Sequence, residues 1–172
     1  SISAILELKK QNIKTFMFTG DKKKSAEAVA KKTGVDEVFY EMLPDDKYKK
    51  LDRIIKENDK KTAFVGDGIN DAPSLALSDV GISMGMRGSA SAIEASDVVI
   101  MNDSLSKIPE AIKISKFTKK IIKQNLIFAI GVKVLVLVLG AIGVANMWQA
   151  VFADTGVTLL TILNTTRILR KK

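Results

Sequence analysis

Apolar positions in the first hundred residues follow two alternating rhythms. Short β-rich runs occupy Ile13 to Phe18, Val38 to Tyr40, Thr62 to Val65, Val80 to Ser83 and Val98 to Met101. Between them, apolar residues recur every three or four positions. This spacing predicts helices over Lys22–Lys32, with Ala26, Val29 and Ala30 on one face, and over about Asp45–Glu57, with Leu51, Ile54 and Ile55 as the buried stripe. A shorter helix is predicted over Ala72–Leu77, and an amphipathic run opens the chain. Gly34 stands where a helix C-cap belongs, and Pro44 where a helix begins. Strands alternating with helices predict an α/β fold with a parallel sheet covered by helices. The small-residue stretch Gly88 to Ala95 reads as a connection between the last two strands.

After Asn102 the rhythm changes. Ser106 to Gln124 has helical spacing and a basic face, and it runs without a breaker into Leu126–Ala145, 20 residues whose one charge is Lys133. That matches the ~20 apolar residues needed to cross a ~30 Å hydrocarbon core. A second span, about 148–166, follows Asn146 and Met147 and contains one charge, Asp154. Lys119, Lys120 and Lys123 flank the entry, while Arg167, Arg170, Lys171 and Lys172 flank the exit. Positive flanks predict a hairpin with both ends in the cytoplasm and Trp148 at the far interface. A hairpin buried in a soluble core would leave those clusters and the tryptophan unexplained. The predicted organisation is an α/β domain over 1–104, a stalk helix over 105–124, and two membrane helices with a basic tail over 125–172.

Composition sharpens this division. Of 172 residues, 27% are charged, yet the mean hydropathy is +0.13 and the net charge is +8. Residues 1–100 carry 16 basic and 16 acidic side chains, whereas 101–172 carry 11 basic and 3 acidic, so the excess belongs to the membrane half. Anionic lipid and topology account for it, and no nucleic-acid partner is expected. The chain holds no Cys and no His, which excludes disulfides, Cys/His zinc sites, His bases and Cys nucleophiles within it.

Carboxylate, hydroxyl, Lys and backbone chemistry remain. Asp67 and Asp71 lie in Gly66-Asp67-Gly68-Ile69-Asn70-Asp71, directly after a strand, where the carboxyl ends of parallel strands present ligand sites. Two carboxylates on a glycine-rich turn suit Mg²⁺, which takes carboxylates, water and substrate phosphate. At another strand end, Thr19 and Gly20 offer a hydroxyl and backbone N–H groups to a phosphate. Lys47, near the start of its helix, supplies a point charge for a phosphoryl oxygen. In the apolar half, Lys133 lies ten residues from Lys123, and Asp154 thirteen from Arg167, ~15 and ~20 Å along a helix. Both fall near mid-membrane, where ionisable groups are costly and point to function. They are close enough in depth to pair, each offsetting the other's desolvation.

Thr19-Gly20-Asp21, Pro44-Asp45-Asp46-Lys47 and Gly66 to Pro73, in this order, resemble the second half of the phosphorylation domain of P-type ATPases, a haloacid-dehalogenase-like fold. Val80 to Gly85 is similar to the strand that follows in that family. The resemblance implies that Asp67 and Asp71 hold Mg²⁺, that Thr19, Gly20 and Lys47 grip an aspartyl-phosphate, and that Asn70 stabilises the phosphate loop. Asp21 would help bind the nucleotide. Asn125, Lys133 and Asp154-Thr155-Gly156 are similar to the last two helices of the zinc-, cadmium- and lead-exporting subgroup. The copper subgroup would show a Tyr-Asn pair and a Met-x-x-Ser-Ser pattern, where this chain has Gln124-Asn125 and neither pattern. By that likeness Asp154 ligates the transported metal, Lys133 serves as its counter-ion and Asn125 is a further candidate.

The resemblance implies the C-terminal part of an ATP-driven exporter in a prokaryotic plasma membrane, with the lipid bilayer, a heavy-metal cation and the rest of the pump as partners. The motif Asp-Lys-Thr-Gly-Thr, which carries the phosphorylated Asp of the family, does not occur in these residues, so this chain alone is expected not to turn over ATP. Alternatives are a membrane-anchored phosphatase of the dehalogenase superfamily, which would need no deep Asp154, and a regulatory fragment that binds phosphate or a partner pump.

Overall fold

The structure is a computed structural model that describes residues 2–86 and 88–170. Two units are distinguished, one over residues 1–109 and one over 110–172.

In the first unit, helix α1 (Ile2–Lys10) precedes strand β1 (Phe16–Phe18), which leads through α2 (Lys23–Thr33) to β2 (Glu37–Phe39). Helix α3 (Pro44–Glu57) leads to β3 (Ala63–Gly66), a short turn of 3₁₀ helix and α4 (Ala72–Leu77). Strand β4 (Val80–Met84), α5 (Ala90–Glu94) and β5 (Val98–Ile100) complete it. All pairings are parallel: Met17 faces Val38, Val65 faces Ile82 and Ser83 faces Val99. The caps behave as expected. Gly34 ends α2 in the left-handed region at φ 81°, and Pro44 opens α3 while the Asp46 carboxylate accepts a hydrogen bond from the backbone N–H of Leu43 (3.2 Å).

The structure departs from the expected pattern in two places. The strands form not one sheet but two, β1-β2 and β3-β4-β5. Between them the Phe18 and Phe64 rings pack, their centroids 6.3 Å apart. The stretch expected to be a connection contains α5, because Ser89 caps it by accepting from the backbone N–H of Ala92 (3.1 Å). The core is built from Ala26, Leu51, Ile54, Leu75, Ile82, Ala92 and Ile100, while Ile55 is only half-buried.

A device repeats at the start of the strands. Asp36, Asp79 and Asp97 each stand one residue before β2, β4 or β5 and accept a hydrogen bond from the neighbouring strand. The donors are the backbone N–H groups of Thr15 (2.8 Å), Thr62 (2.9 Å) and Gly81 (2.8 Å). Each carboxylate satisfies an amide at a ladder end, where register would otherwise fray. Asp36 also accepts from the Thr15 hydroxyl (2.7 Å) and pairs with Lys9 (3.0 Å). These bonds, those from Thr15 first, hold its pKa down to about 2. The Asp79 carboxyl is likewise lowered, by Lys61 and then Thr62.

The expected stalk and first span are one uninterrupted helix, α6 (Lys107–Ala141), whose first three residues fall in the first unit and whose remainder opens the second. It is the helix, among the described residues, long and apolar enough to cross a membrane. It stops four residues before the expected boundary, because Gly143 at φ 76° turns the chain and the N–H groups of Val144 and Ala145 bond back to Leu139. Helix α7 (Met147–Thr165) begins with a capping box in which Asn146 and Gln149 exchange side-chain-to-backbone bonds of 3.0 and 2.9 Å. Lys171 and Lys172, expected to flank the exit, lie outside the described residues.

Over residues 125–141 the half-buried positions of α6 are Asn125, Ala129, Val132, Val136 and Leu139; those of α7 include Ala150, Ala153, Val157, Thr161 and Asn164. These spacings of three and four define one seam in each antiparallel helix. Outside it the surface is apolar and open, with Leu137 at 66% and Phe152 at 75% exposure.

Candidate functional site

The residues expected to face phosphate sit on turns that the local sequence dictates. Thr19 follows β1, and its hydroxyl accepts from the backbone N–H of Asp21 (3.1 Å), closing a tight turn. The turn is tied to the segment after β2 by bonds from Met42 N–H to Thr19 O (3.1 Å) and from Glu41 N–H to Asp21 O (2.9 Å). Gly20 and Asp21 remain exposed. No hydrogen bond or ion pair among the described residues joins this turn to the second candidate loop.

That loop begins as β3 ends. A methyl group at Gly66 would lie 2.8 Å from Asp71 Cβ, so only glycine lets the loop fold back with Asp71 against the strand end. Asp71 N–H bonds to Gly68 O (3.0 Å), and Ser89 N–H bonds to Asp67 O (3.1 Å). These backbone bonds hold the loop. The Asn70 side chain is exposed and makes no hydrogen bond among the described residues. Packing of α3 against α4 brings Lys47 Nζ to 3.1 Å from Asp71 Oδ1, with side-chain exposures of 22% and 13%. A partly buried pair of this kind gains more than a surface pair, and it fixes a cation and a carboxylate beside the turn. The Asp67 carboxylate is exposed and unpartnered among the described residues. The donor set is therefore all oxygen, one carboxylate held and one free, which fits a hard divalent ion completed by phosphate and water.

Sequence reasoning missed Gly88 and Ser89. A methyl at Gly88 would lie 2.1 Å from the Met84 carbonyl oxygen, and Ser89 both caps α5 and anchors Asp67. The legible signal was Gly-Ser ahead of a small-residue run, a helix start.

In the helical unit Asn125 does not stand with Asp154. Its Nδ2 donates to Thr161 O (3.2 Å) and Thr165 Oγ1 (3.0 Å), and its Oδ1 accepts from Asn164 Nδ2 (2.7 Å). Asn164 is ten residues from Asp154, or ~15 Å along α7. Lys133 and Asp154 are both exposed and form no ion pair with each other. The expected pairing is thus not made. Each stands one position past a seam residue, Val132 or Ala153, and helical rotation of ~100° per residue carries both off the contact line. In antiparallel helices a one-residue offset in both carries them to the same flank.

A profile of haloacid dehalogenase-like hydrolases matches residues 1–79. The chain is 50% identical over 172 residues to a cadmium, zinc and cobalt-transporting ATPase of Bacillus subtilis (strain 168), covering 98% of this chain and 24% of that protein. A zinc-transporting ATPase of Synechocystis sp. (strain ATCC 27184 / PCC 6803 / Kazusa) is 49% identical over 170 residues, with coverage of 98% and 24%. The chain is a relative of the heavy-metal P-type ATPases. A crystal structure of a zinc-transporting PIB-type ATPase in its E2.Pi state superposes with a TM-score of 0.91 at 36% identity, covering 98% of this chain and 27% of that one. The α/β unit thus has the haloacid-dehalogenase-like fold expected from its motifs. The chain spans about a quarter of the length of these relatives.

Proposed function

We propose that this chain works as part of an ATP-driven pump that exports Zn²⁺ or Cd²⁺ from the cytoplasm of a prokaryote. One observation carries this reading: the likeness to metal-transporting ATPases runs through both units, 98% of the chain, so the helical pair is shared along with the phosphate loops. A phosphatase that used the hairpin as an anchor would have no need of Asp154 at that depth.

In this reading a strand from elsewhere in the pump carries the nucleophilic Asp and lies between β1 and β3. Those two strands each pair on one side only among the described residues, and their Phe18 and Phe64 rings meet. The Asp attacks the γ-phosphorus of ATP, ADP leaves with the bonding electrons, and water later cleaves the aspartyl-phosphate. Thr19 and the Gly20 N–H bind phosphoryl oxygens, and Lys47 balances their charge while orienting Asp71. Asp21 faces the nucleotide. Asp67 and Asp71 would hold Mg²⁺, which when bound offsets phosphoryl charge. Asn70 steadies the loop once phosphate is present.

Helices α6 and α7 both cross the lipid bilayer, with the α/β unit and both ends of the hairpin in the cytoplasm. The basic residues Lys119, Lys120, Lys123, Arg167 and Arg170 support that topology. Asp154 is a ligand of the transported cation. Carboxylate alone does not select zinc, so the rest of the pump supplies softer ligands, which would also admit Pb²⁺. Lys133, on the same flank and at a similar depth, is the counter-ion that occupies Asp154 after the metal leaves.

Reconstituting the complete pump in proteoliposomes tests this. Zinc-stimulated ATP hydrolysis with zinc uptake into inside-out vesicles is expected. Hydrolysis of phosphate monoesters without metal dependence would overturn it in favour of an anchored phosphatase.

A further inference from the structure

Apart from the amides and Thr161, the half-buried positions of α6 over residues 125–141 and of α7 carry small and aliphatic side chains that impose little register, among them Ala129, Val132 and Val136 on one helix and Ala150, Ala153 and Val157 on the other. Packing of this sort tolerates sliding by a turn, because van der Waals contact is not directional. Directional contacts between the helices occur in one cluster among the described residues. Asn164 Nδ2 donates to Asn125 Oδ1 (2.7 Å), Asn125 Nδ2 donates to Thr165 Oγ1 (3.0 Å) and Thr161 O (3.2 Å), and Arg167 NH1 donates to Asn164 Oδ1 (3.0 Å). Both Asn125 donor protons and the oxygens of both amides are engaged. A slip of one turn, ~5.4 Å, would break every interhelical bond of this cluster at once.

From this we infer that the Asn125–Asn164 cluster, oriented by Arg167, is the register pin of the hairpin, and that it positions Asp154 at the depth of Lys133. Lys133 is eight residues along α6 from Asn125, and Asp154 ten along α7 from Asn164, ~12 and ~15 Å. A slipped hairpin would put Ala150 or Thr158 at the level Asp154 now holds. Asn125 and Asn164 are thus positioning residues that touch no metal. The inference rests on the proposed function for its consequence in transport, and on the structure alone for the register.

Two measurements separate these. The chain contains no Cys, so a cysteine pair introduced into it in detergent micelles is its sole thiol pair. With Val136→Cys fixed, Ala153→Cys should cross-link faster than Ala150→Cys or Val157→Cys. Adding Asn164→Leu should erase that preference. An unchanged preference overturns the inference whatever the pump does. In the complete pump, Asn164→Leu should raise the zinc concentration for half-maximal ATP hydrolysis about tenfold, the scale of losing hydrogen bonds between membrane helices. Hydrolysis at saturating zinc and phosphorylation by inorganic phosphate should stay within about twofold, since neither needs tight binding of the exported ion. Thr165→Val, which removes one acceptor, should shift the zinc dependence less. A wild-type zinc dependence in Asn164→Leu also overturns the inference. Should the unmutated pump show no zinc dependence, the functional reading falls, while the cross-linking still decides the register.

Discussion

The two units hold their functional groups in opposite ways. In the α/β unit the candidate loops are bonded in place, Lys47 to Asp71, the Thr19 hydroxyl to its own turn, and Asp67 through its carbonyl to Ser89, which leaves the Asp67 carboxylate and the Asn70 amide open among the described residues. In the helical unit Asp154 and Lys133 stand exposed without partners, and the bonded residues, Asn125 and Asn164, lie elsewhere. Phosphate chemistry needs groups preset against a small, highly charged ligand, which costs no reorganisation at the moment of reaction. A transported ion must be bound and then released, so its ligands come from several helices that move relative to one another. On the proposed reading, the first site is therefore legible as three short motifs of this chain, whereas the second would be complete only with the rest of the pump.

The most severe way to test this contrast is Asp154→Asn in the complete pump. Zinc-stimulated hydrolysis should fall by at least about a hundredfold, as for loss of a charged ligand with a transition-state role, while phosphorylation by inorganic phosphate persists. Loss of both would show that the units are not separable in this way. Lys47→Met should do the reverse, lowering phosphoenzyme formation roughly a hundredfold, the scale of removing one group that stabilises transition-state charge, with zinc binding at equilibrium retained.

Stability should divide the units too. Leu75 is 1% exposed, and Leu75→Ala should cost about 3 kcal/mol. Urea unfolding followed by the near-ultraviolet signal of the α/β unit would measure it, and α6 helicity in micelles should be unaffected. The smallest effect concerns the carboxylate clamps. The folded pKa of Asp36, about 2, lies below the ordinary 3.8. Its contribution is therefore present above pH ~5 and is lost as pH falls toward 2. Asp36→Asn should cost about 1 kcal/mol at pH 7, the scale of one hydrogen bond, and should flatten the decline in urea midpoint between pH 5 and 3. An equally steep decline in the variant would assign acid sensitivity to other groups.

The elements themselves were readable because each rests on local chemistry. Gly34 ends α2, Pro44 starts α3, and the Gly66 to Asp71 loop needs glycine where Asp71 closes in. The clamps were readable in principle as well: Ser78-Asp79-Val80 and Ser96-Asp97-Val98 repeat one pattern just ahead of a strand. They went unread because an Asp before a strand looks like any turn residue until the neighbouring amide is known. Helix α5 was missed for a related reason, since a run of Gly, Ser and Ala has weak periodicity and the Ser89 cap supplies what pattern could not.

By itself, then, the sequence determined the order of strands and helices, the candidate phosphate loops, the electrically neutral α/β half and the basic, apolar second half. All of these follow from short-range propensity, spacing and charge. Tertiary structure alone decided the rest. Two partial sheets stand where one was expected, because strand pairing depends on neighbours that no local pattern names. Lys47 meets Asp71 across 24 positions of chain through the packing of α3 on α4. The Asn125 amide, a candidate for the metal site, bonds across to α7, to a partner that lies 39 residues away. Asp154 and Lys133 share a flank without touching, since a seam one residue away sets where each helix meets the other.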